Sequence, residues 1–566
     1  MAGHPTSSEP VEPRLDAPAP LPEAAEDLLR AHGPDAPRPR TVLALLRDGR
    51  WWGANDLVRA SGVAHAVVAP LLRSLGEAGE VEREPGGERY RLARPDLYAG
   101  AAAPALADPV EHLLAGHGRA AAELARAVAE GPASDLDLDH VTAAPETALR
   151  RALFLDTRFD LRERTLLCVG DHDLTSLALT LVQPRARVVV VDLDERVLAH
   201  IDAVAGRLGL PVRTHAADLR LGLPASLREC ADLVFTDPPY TPDGVDLFVR
   251  RGVEGLADPR RGRVLVAYGV SETTPKLAAA TQSRMVRSGL LLEAVWPDFN
   301  RYLGAESIGA ASDLYVLRPL ARTPTSPAAD ASRVYSQGVN AKEARGGLDA
   351  ERAAAVVDRV TELAGSGPAL VGDWPRETPG EARVRLSTWM DSPTGAGATA
   401  VVNLTSGWER LAPRAALAST ADDTFVLVPS SSRWVRDEAG QRAFRALVEP
   451  GLRVRFLRGV GAADLTAVRC ARAPEPEEAV DRVLAHVRAR AHGTLTTTLR
   501  TGLVEAFARL GRPTNKRTAR LAVAEAPGWV PGHSLLDLPE HRFAELREVA
   551  ADLVAQVRRS QEAESG

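Results

Sequence analysis

The residues with the sharpest chemistry are Asp237-Pro238-Pro239-Tyr240, which follow the apolar run Leu233-Val234-Phe235-Thr236. Two consecutive prolines fix the turn and remove two backbone N–H donors, so the carboxylate and the local carbonyls face an incoming nitrogen without competition. Asp237 can take a proton from an attacking amine or orient its lone pair. Tyr240 can stack over that nitrogen and stabilise the positive charge that develops. An acid or amide, two prolines and an aromatic residue at a strand end are a signature of amino-group alkylation. The bland alternative is a structural turn.

Earlier strand ends add polar groups. The loop Val169-Gly170-Asp171-His172-Asp173-Leu174 follows the apolar run Thr165–Val169. Nucleotide-binding loops usually carry several glycines, which let the backbone approach the ligand. Here Gly170 stands alone and acids follow it. In S-adenosylmethionine enzymes this loop lies beside the methionine end, which bears a carboxylate. Two like charges about 4 Å apart cost about 4 kcal/mol at an effective dielectric near 20. Asp171 and Asp173, if turned inward, therefore favour a donor that has lost its carboxylate and ends in an ammonium, decarboxylated S-adenosylmethionine. Otherwise Asp171 caps the next helix and Asp173 faces water. Asp192 ends Val188-Val189-Val190-Val191 and is placed to accept from ribose hydroxyls. Asp194 is a second ligand candidate or a helix cap. Asp218, in His215-Ala216-Ala217-Asp218, meets an adenine amino group or caps its helix.

Strands alternate with helices at the spacing of a parallel, doubly wound α/β sheet, in which ligands sit outside the carboxyl ends of the strands. The pattern from 108 to 320 matches the class I methyltransferase (Rossmann-like) plan, with a late strand inserted antiparallel. Residues 1–37, rich in Pro, Ala and Glu, read as a disordered tail with a short helix near Glu23–Ala31. Residues 38–98 read as three helices and a hairpin around Gly86-Gly87, the outline of a winged helix. Its third helix offers Arg73 and His65 but also Glu77 and Glu80, so packing or dimerisation is favoured over DNA binding. A linker is expected over 321–347, a second α/β domain of unknown role over 348–472, and a mainly helical region over 473–566. In that second domain, the polar strand ends Asn403–Gly407 and Pro429–Ser432 read as caps and turns. Three scattered cysteines (Cys168, Cys230, Cys470) have no metal or disulfide spacing, and a net charge of -6 gives no general affinity for nucleic acid. With no membrane-length apolar run or signal-peptide pattern, a cytoplasmic protein is expected.

Taken together, TAAPETALRRALFL, VGDHDLTSLAL, VDLDERVL, FTDPPYT and FNRYLGAESIGAASDLYVLR resemble the branched-chain polyamine synthase family, the N(4)-bis(aminopropyl)spermidine synthases, over roughly residues 38–320. The resemblance implies an aminopropyltransferase that moves an aminopropyl group from decarboxylated S-adenosylmethionine to an amine of a polyamine such as spermidine, with no metal needed; a homodimer is one possible assembly. The resemblance makes Asp237 the catalytic residue, with Tyr240 beside it. The strand-end residues themselves give the expected donor site, Gly170, Asp171, Asp173, Asp192, Asp218 and Pro238, and the expected polyamine site, Asp171, Asp173, Asp237 and Tyr240. The family's loop reads Gly-Asp-Asp-Asp, whereas this chain has His172 between the outer acids, which removes one negative charge. Two other readings stand beside this one. One is an S-adenosylmethionine-dependent amino-N-methyltransferase. The other is a non-catalytic protein that binds DNA or senses a polyamine.

Overall fold

The computed structural model describes residues 20–102, 107–269, 274–320, 323, 347–395 and 397–565. It separates into two compact units. One comprises residues 1–109, 269–275 and 301–312, and the other 110–268, 276–300 and 313–566. The expected linker falls outside the described residues except at Thr323 and Gly347, as does the tail up to residue 19.

In the first unit, helices span Pro37–Leu46, Ala54–Ser61 and His65–Glu77. Gly62, at φ +72, ends the second of them. Strands β1 (Trp52–Gly53), β2 (Val81–Arg83) and β3 (Arg89–Leu92) form an antiparallel sheet in the order β1-β3-β2. The pairing of β1 was not foreseen, because two residues carry no periodicity. The segment before residue 38 is less of a tail than its composition suggests. Glu23–Ala31 is helical, and Leu21, Ala25 and Leu29 join this unit's apolar core.

The second unit holds two sheets. The first contains β4 (Thr165–Val169), β5 (Arg187–Asp192), β6 (Val212–Ala216), β7 (Leu233–Thr236), β8 (Arg263–Tyr268), β9 (Leu290–Arg301) and β10 (Ala311–Pro319). Counted from its own first strand, the order is 3-2-1-4-5-7-6. The first five strands pair in parallel, and β10 runs antiparallel to β8. This is the methyltransferase-like Rossmann plan, with the late strand inserted where it was expected. The parallel strands are near-continuous apolar runs because helices cover both faces. Thr236 is an exception: its hydroxyl donates to the Val169 carbonyl at 2.7 Å, clipping the end of β7 to the end of β4.

The second sheet contains β11 (Ala369–Gly372), β12 (Arg383–Val384), β13 (Thr399–Asn403), β14 (Asp423–Pro429), β15 (Leu452–Arg458) and β16 (Leu465–Arg472). Its order is β12-β11-β13-β14-β16-β15, with the first four parallel and β16 antiparallel to both neighbours. Helices Ala479–Ala489, Leu495–Arg509, Lys516–Ala524 and Arg542–Ser565 follow. Among the described residues, no helix is long and apolar enough to cross a membrane.

Polar contacts join the carboxy-terminal region to the first sheet. Asp537 is 2% exposed and accepts from His215 Nδ1 at 3.3 Å, from the Ser534 amide at 2.6 Å, and from the Ser226 hydroxyl. Its own carbonyl accepts the Ala216 amide at the end of β6. His533 stacks on His215 with ring centroids 3.9 Å apart, and burial holds its pKa down to about 4. Removing one member of such a network strands buried donors. Asp537→Ala is therefore expected to lower unfolding free energy by about 3 kcal/mol, read as a lower urea midpoint. An unchanged midpoint would mean that this junction contributes nothing to stability.

Candidate active site

The helix Pro145–Arg158 supplies the centre of the site. Pro145 starts it and its apolar stripe faces the sheet. On that stripe, level with Ala148, Ala152 and Leu155, sits Arg151, whose side chain is fully buried. Its Nη1 donates to Asp173 Oδ2 at 2.9 Å, its Nη2 to Asp237 Oδ2 at 2.6 Å, and its Nε to Asn300 Oδ1 at 2.7 Å. The guanidinium also lies over the Phe235 ring, 4.9 Å from its centroid. One cation thus ties the loop after β4, the turn after β7 and the end of β9 into a single constellation. The sequence reading singled out both aspartates but not Arg151. The available signal was a charged residue at an apolar position of a 3.6-residue repeat, a placement rare without a buried partner.

Asp173 also accepts the Ala143 amide at 2.8 Å. Burial pushes its pKa up, but the Arg151 charge and a hydrogen bond shared with Asp237 outweigh that and hold it below the usual carboxylate range. Asp171 has no such cation. It is 3% exposed and accepts the Ser176 amide at the start of the next helix at 3.1 Å. Burial, reinforced by the nearby Asp173 and Asp192, pushes its pKa up to about 7. Asp171 therefore does what a capping residue does and also sits inside with Asp173.

Asp192 anchors two loops. Its Oδ2 accepts the Asp171 amide at 3.0 Å and its Oδ1 the Asp194 amide at 2.8 Å, which fixes the loops after β4 and β5 together. Gly170 sits beside it at φ +72. A Cβ there would lie 3.3 Å from Phe248 Cε1 and 4.0 Å from Asp192 Oδ2, so only glycine keeps this turn unstrained and open. Asp194 is a helix cap, accepting the Arg196 amide at 3.0 Å and pairing with its guanidinium at 2.6 Å.

Asp218 stands apart from the constellation. Both of its carboxylate oxygens are bound by Arg220, at 2.9 and 2.6 Å. Arg220 in turn lies 3.9 Å over the Trp408 ring and donates to the Gly407 carbonyl, both on the loop after β13.

At the Pro-Pro turn, Pro238 is buried and Thr241 caps the helix Pro242–Gly255. Tyr240 is half-buried, edge-on to Tyr268 with centroids 5.5 Å apart. Asp313 pairs in register with Tyr268, at the carboxyl end of β8, and accepts the Asp298 amide at 3.0 Å. Further acids thus reach this rim. Phe299 and Trp296 pack edge-on against Phe154, with centroids 5.5 and 4.6 Å apart, and belong to the core.

His172 stacks on His140 at 4.4 Å, and its Nε2 lies 3.2 Å from the Thr142 hydroxyl. Burial lowers its pKa below the ordinary histidine value. At neutral pH the residue replacing the family's middle acid is therefore an uncharged ring.

The chain thus carries acids at three neighbouring strand ends of a methyltransferase-like Rossmann sheet, together with an Asp-Pro-Pro-Tyr turn. The family profile for the branched-chain polyamine synthase A C-terminal domain matches residues 120–333. An N(4)-bis(aminopropyl)spermidine synthase of Thermus thermophilus is 30% identical over 292 residues, covering 50% of this chain and 77% of that protein. This chain belongs to the branched-chain polyamine synthase family. An uncharacterised Methanocaldococcus jannaschii protein is 34% identical over 205 residues, covering 36% of this chain and 51% of that one. The chain thus spans about half of that relative's length. The crystal structure of the Thermus thermophilus branched-chain polyamine synthase, which holds N4-aminopropylspermidine and 5′-methylthioadenosine, is 26% identical. It covers 53% of this chain and 92% of its own, with a TM-score of 0.39.

Two outcomes follow from the electrostatics. Asp171 keeps its proton to about pH 7 when folded but only to about pH 4 when unfolded, so the fold loses stability as pH rises between these values. Asp171→Asn should therefore stabilise the ligand-free protein by a few kcal/mol at pH 8 and hardly at all at pH 4, measured by chemical denaturation. Arg151→Leu leaves the buried Asp173 and the half-buried Asp237 without their cation and should cost about 3–5 kcal/mol at pH 7, less at pH 4 where they protonate. A loss equal at both pH values would contradict the ion-pair account.

Proposed function

We propose that this chain is an aminopropyltransferase that uses decarboxylated S-adenosylmethionine as donor and a polyamine such as spermidine as acceptor. The observation that carries this reading is the Asp173–Arg151–Asp237 bridge, which places the acids of the donor loop and the Pro-Pro turn in one site. Asp192 and Gly170 would hold the ribose. Asp171 and Asp173 would face the donor's terminal ammonium, where a methionine carboxylate would meet repulsion. Arg151 cancels one of the charges of Asp173 and Asp237, so these two acids and the guanidinium together keep a single negative charge.

The acceptor nitrogen, unprotonated, attacks the aminopropyl carbon next to the sulfonium. The carbon–sulfur bond breaks with its electron pair going to sulfur, and 5′-methylthioadenosine leaves. Asp237, oriented by Arg151, takes the proton from the new ammonium or holds the attacking lone pair in line, and Tyr240 covers the developing charge. The remaining ammonium groups of the acceptor need acidic partners, and Asp298 and Asp313 lie on the same rim. We read the first unit as a winged-helix module serving packing or homodimer assembly rather than DNA binding. Residues 108–320 are the transfer domain, and 348–472 and 473–566 are accessory.

The test is to incubate the pure protein with each donor and a polyamine panel and to read product masses. Mass gain of one aminopropyl unit from the decarboxylated donor is expected. Methyl transfer from S-adenosylmethionine would instead establish the N-methyltransferase reading. Asp237→Asn keeps an acceptor for Arg151 and should reduce methylthioadenosine release about a thousandfold with the fold intact. Wild-type turnover in that variant would remove Asp237 from the mechanism.

A further inference from the structure

Positive charge gathers on the last helices, and the protein does not answer it. Between residues 506 and 524 the chain carries Arg509, Arg512, Lys516, Arg517 and Arg520 and no acid, although the whole chain has a net charge of -6. Arg509 reaches Glu475 at 3.8 Å. Arg512, Lys516, Arg517 and Arg520 are exposed and make no ion pair among the described residues. The final helix adds two more cations. Gln561 donates to the carbonyls of Arg512 and Pro513 at 3.0 and 3.3 Å, which docks the end of that helix against the turn before Lys516. Arg558 and Arg559, within one turn of Gln561, are exposed and likewise make no ion pair among the described residues.

Other surface arginines meet acids. Arg442 pairs with Glu438 at 2.7 Å, and on the hairpin of the first unit Arg89 pairs with Glu84 at 2.6 Å and Arg91 with Glu82 at 2.7 Å. The patch is also arranged against the stability of its own helix. Lys516 and Arg517 open the helix Lys516–Ala524, whose first turn has no acid. Cations there oppose the helix dipole, and Arg520 repels Lys516 and Arg517 across one turn. The isolated protein gains nothing from this arrangement, whereas a polyanion would be held by all of it.

The surroundings of the cations select among polyanions. Ala519, Ala522 and Val523, the apolar side of the same helix, are buried in the core. That leaves Leu510 and Leu521 as the exposed large apolar side chains of the stretch, too few to enter a bilayer. Phe507, the one aromatic residue between 506 and 524, is buried, so unpaired bases have no platform to stack on. Guanidinium and ammonium groups on packed helices, without aromatic residues, match the phosphate surface of a duplex. The acidic balance of the rest of the chain does not oppose this, since charges more than about 10 Å away are screened at about 0.1 M salt.

We propose that Arg512, Lys516, Arg517, Arg520, Arg558 and Arg559 form a binding surface for duplex nucleic acid, contacted through its phosphates without regard to sequence. The surface lies beyond residue 333, where the family profile ends, and shares no residue with the candidate active site.

Fluorescence anisotropy of the full-length protein with a labelled duplex of about 20 base pairs, taken from about 50 to 200 mM salt, tests it. Affinity should fall about a thousandfold over that range and be the same for unrelated sequences. Combining Lys516→Gln, Arg517→Gln and Arg520→Gln should weaken binding at the lower salt and reduce the logarithmic salt slope by about three. The urea midpoint of that variant should match or exceed the wild-type value, because charges opposing the helix dipole are gone. Arg558→Gln with Arg559→Gln, on a different helix, should reduce the slope by about two, so the outcome does not hang on one helix remaining folded. A slope unchanged in both variants places the contact elsewhere, the winged helix included, and overturns the proposal. Absence of duplex binding by wild type at the lower salt also overturns it, and sedimentation of that protein with phosphatidylglycerol vesicles would then make the surface a membrane contact.

Discussion

Everything in the candidate site hangs on the burial of one guanidinium. Arg151 has no exposed surface, and its three donor nitrogens each meet an acceptor from a different part of the chain. A buried cation with partners on one side only would be too costly to keep, so the loop after β4, the turn after β7 and the end of β9 are constrained to approach it together. The planar fork matters as well as the charge. It reaches two carboxylates with two separate nitrogens and still has Nε for Asn300, a geometry that an ammonium on a flexible stem would not fix. The fold positions the site through this contact more than through the individual loops.

The site is consequently less negative than its aspartates suggest. Asp173 and Asp237 share one positive charge, and Asp171, without a cation, titrates near neutrality. The bare protein carries the strain of Asp171 as a tendency to hold a proton, and a cationic ligand end would relieve it by stabilising the ionised form. On the aminopropyltransferase reading proposed above, the loop that destabilises the ligand-free protein would also be the one that favours an ammonium over a carboxylate. His172 fits this economy of charge. Stacked on His140 and depressed by burial, it adds neither charge nor repulsion between the two acids.

How much of this was legible in the chain depended on the range of the interaction. The seven-stranded sheet and its inserted antiparallel strand followed from apolar runs and turn residues, which are local signals. Asp171, Asp173, Asp192 and Asp237 were visible because each sits at a strand end, where topology dictates a ligand side. Arg151 was hidden because its meaning is non-local: its partners lie 22, 86 and 149 residues away. Asp218 shows the converse. Its strand-end position suggested a ligand contact, but Arg220, two residues on, takes its carboxylate, and a lobe nearly 190 residues later takes Arg220.

The same logic governs the second lobe. Read alone, its strand-end clusters look like caps and turns, and Asn403 is one: its side chain accepts the Thr405 amide at 3.1 Å and the Thr405 hydroxyl at 2.7 Å. Glu409 and Ser432 do not fit that description, because a cap or turn residue satisfies its polar atoms on its own backbone and these two do not. Glu409 Oε2 and the Ser432 hydroxyl have no surface that water can reach, so they are enclosed by packing rather than turned to the space between the sheets. The lobe's contact with the first sheet runs instead through Arg220, which Asp218 holds from one side and the Trp408 ring and Gly407 carbonyl from the other. That contact is non-local in the same way as Arg151's: a charged pair two residues apart in the first sheet is completed by a ring and a carbonyl from the loop after β13.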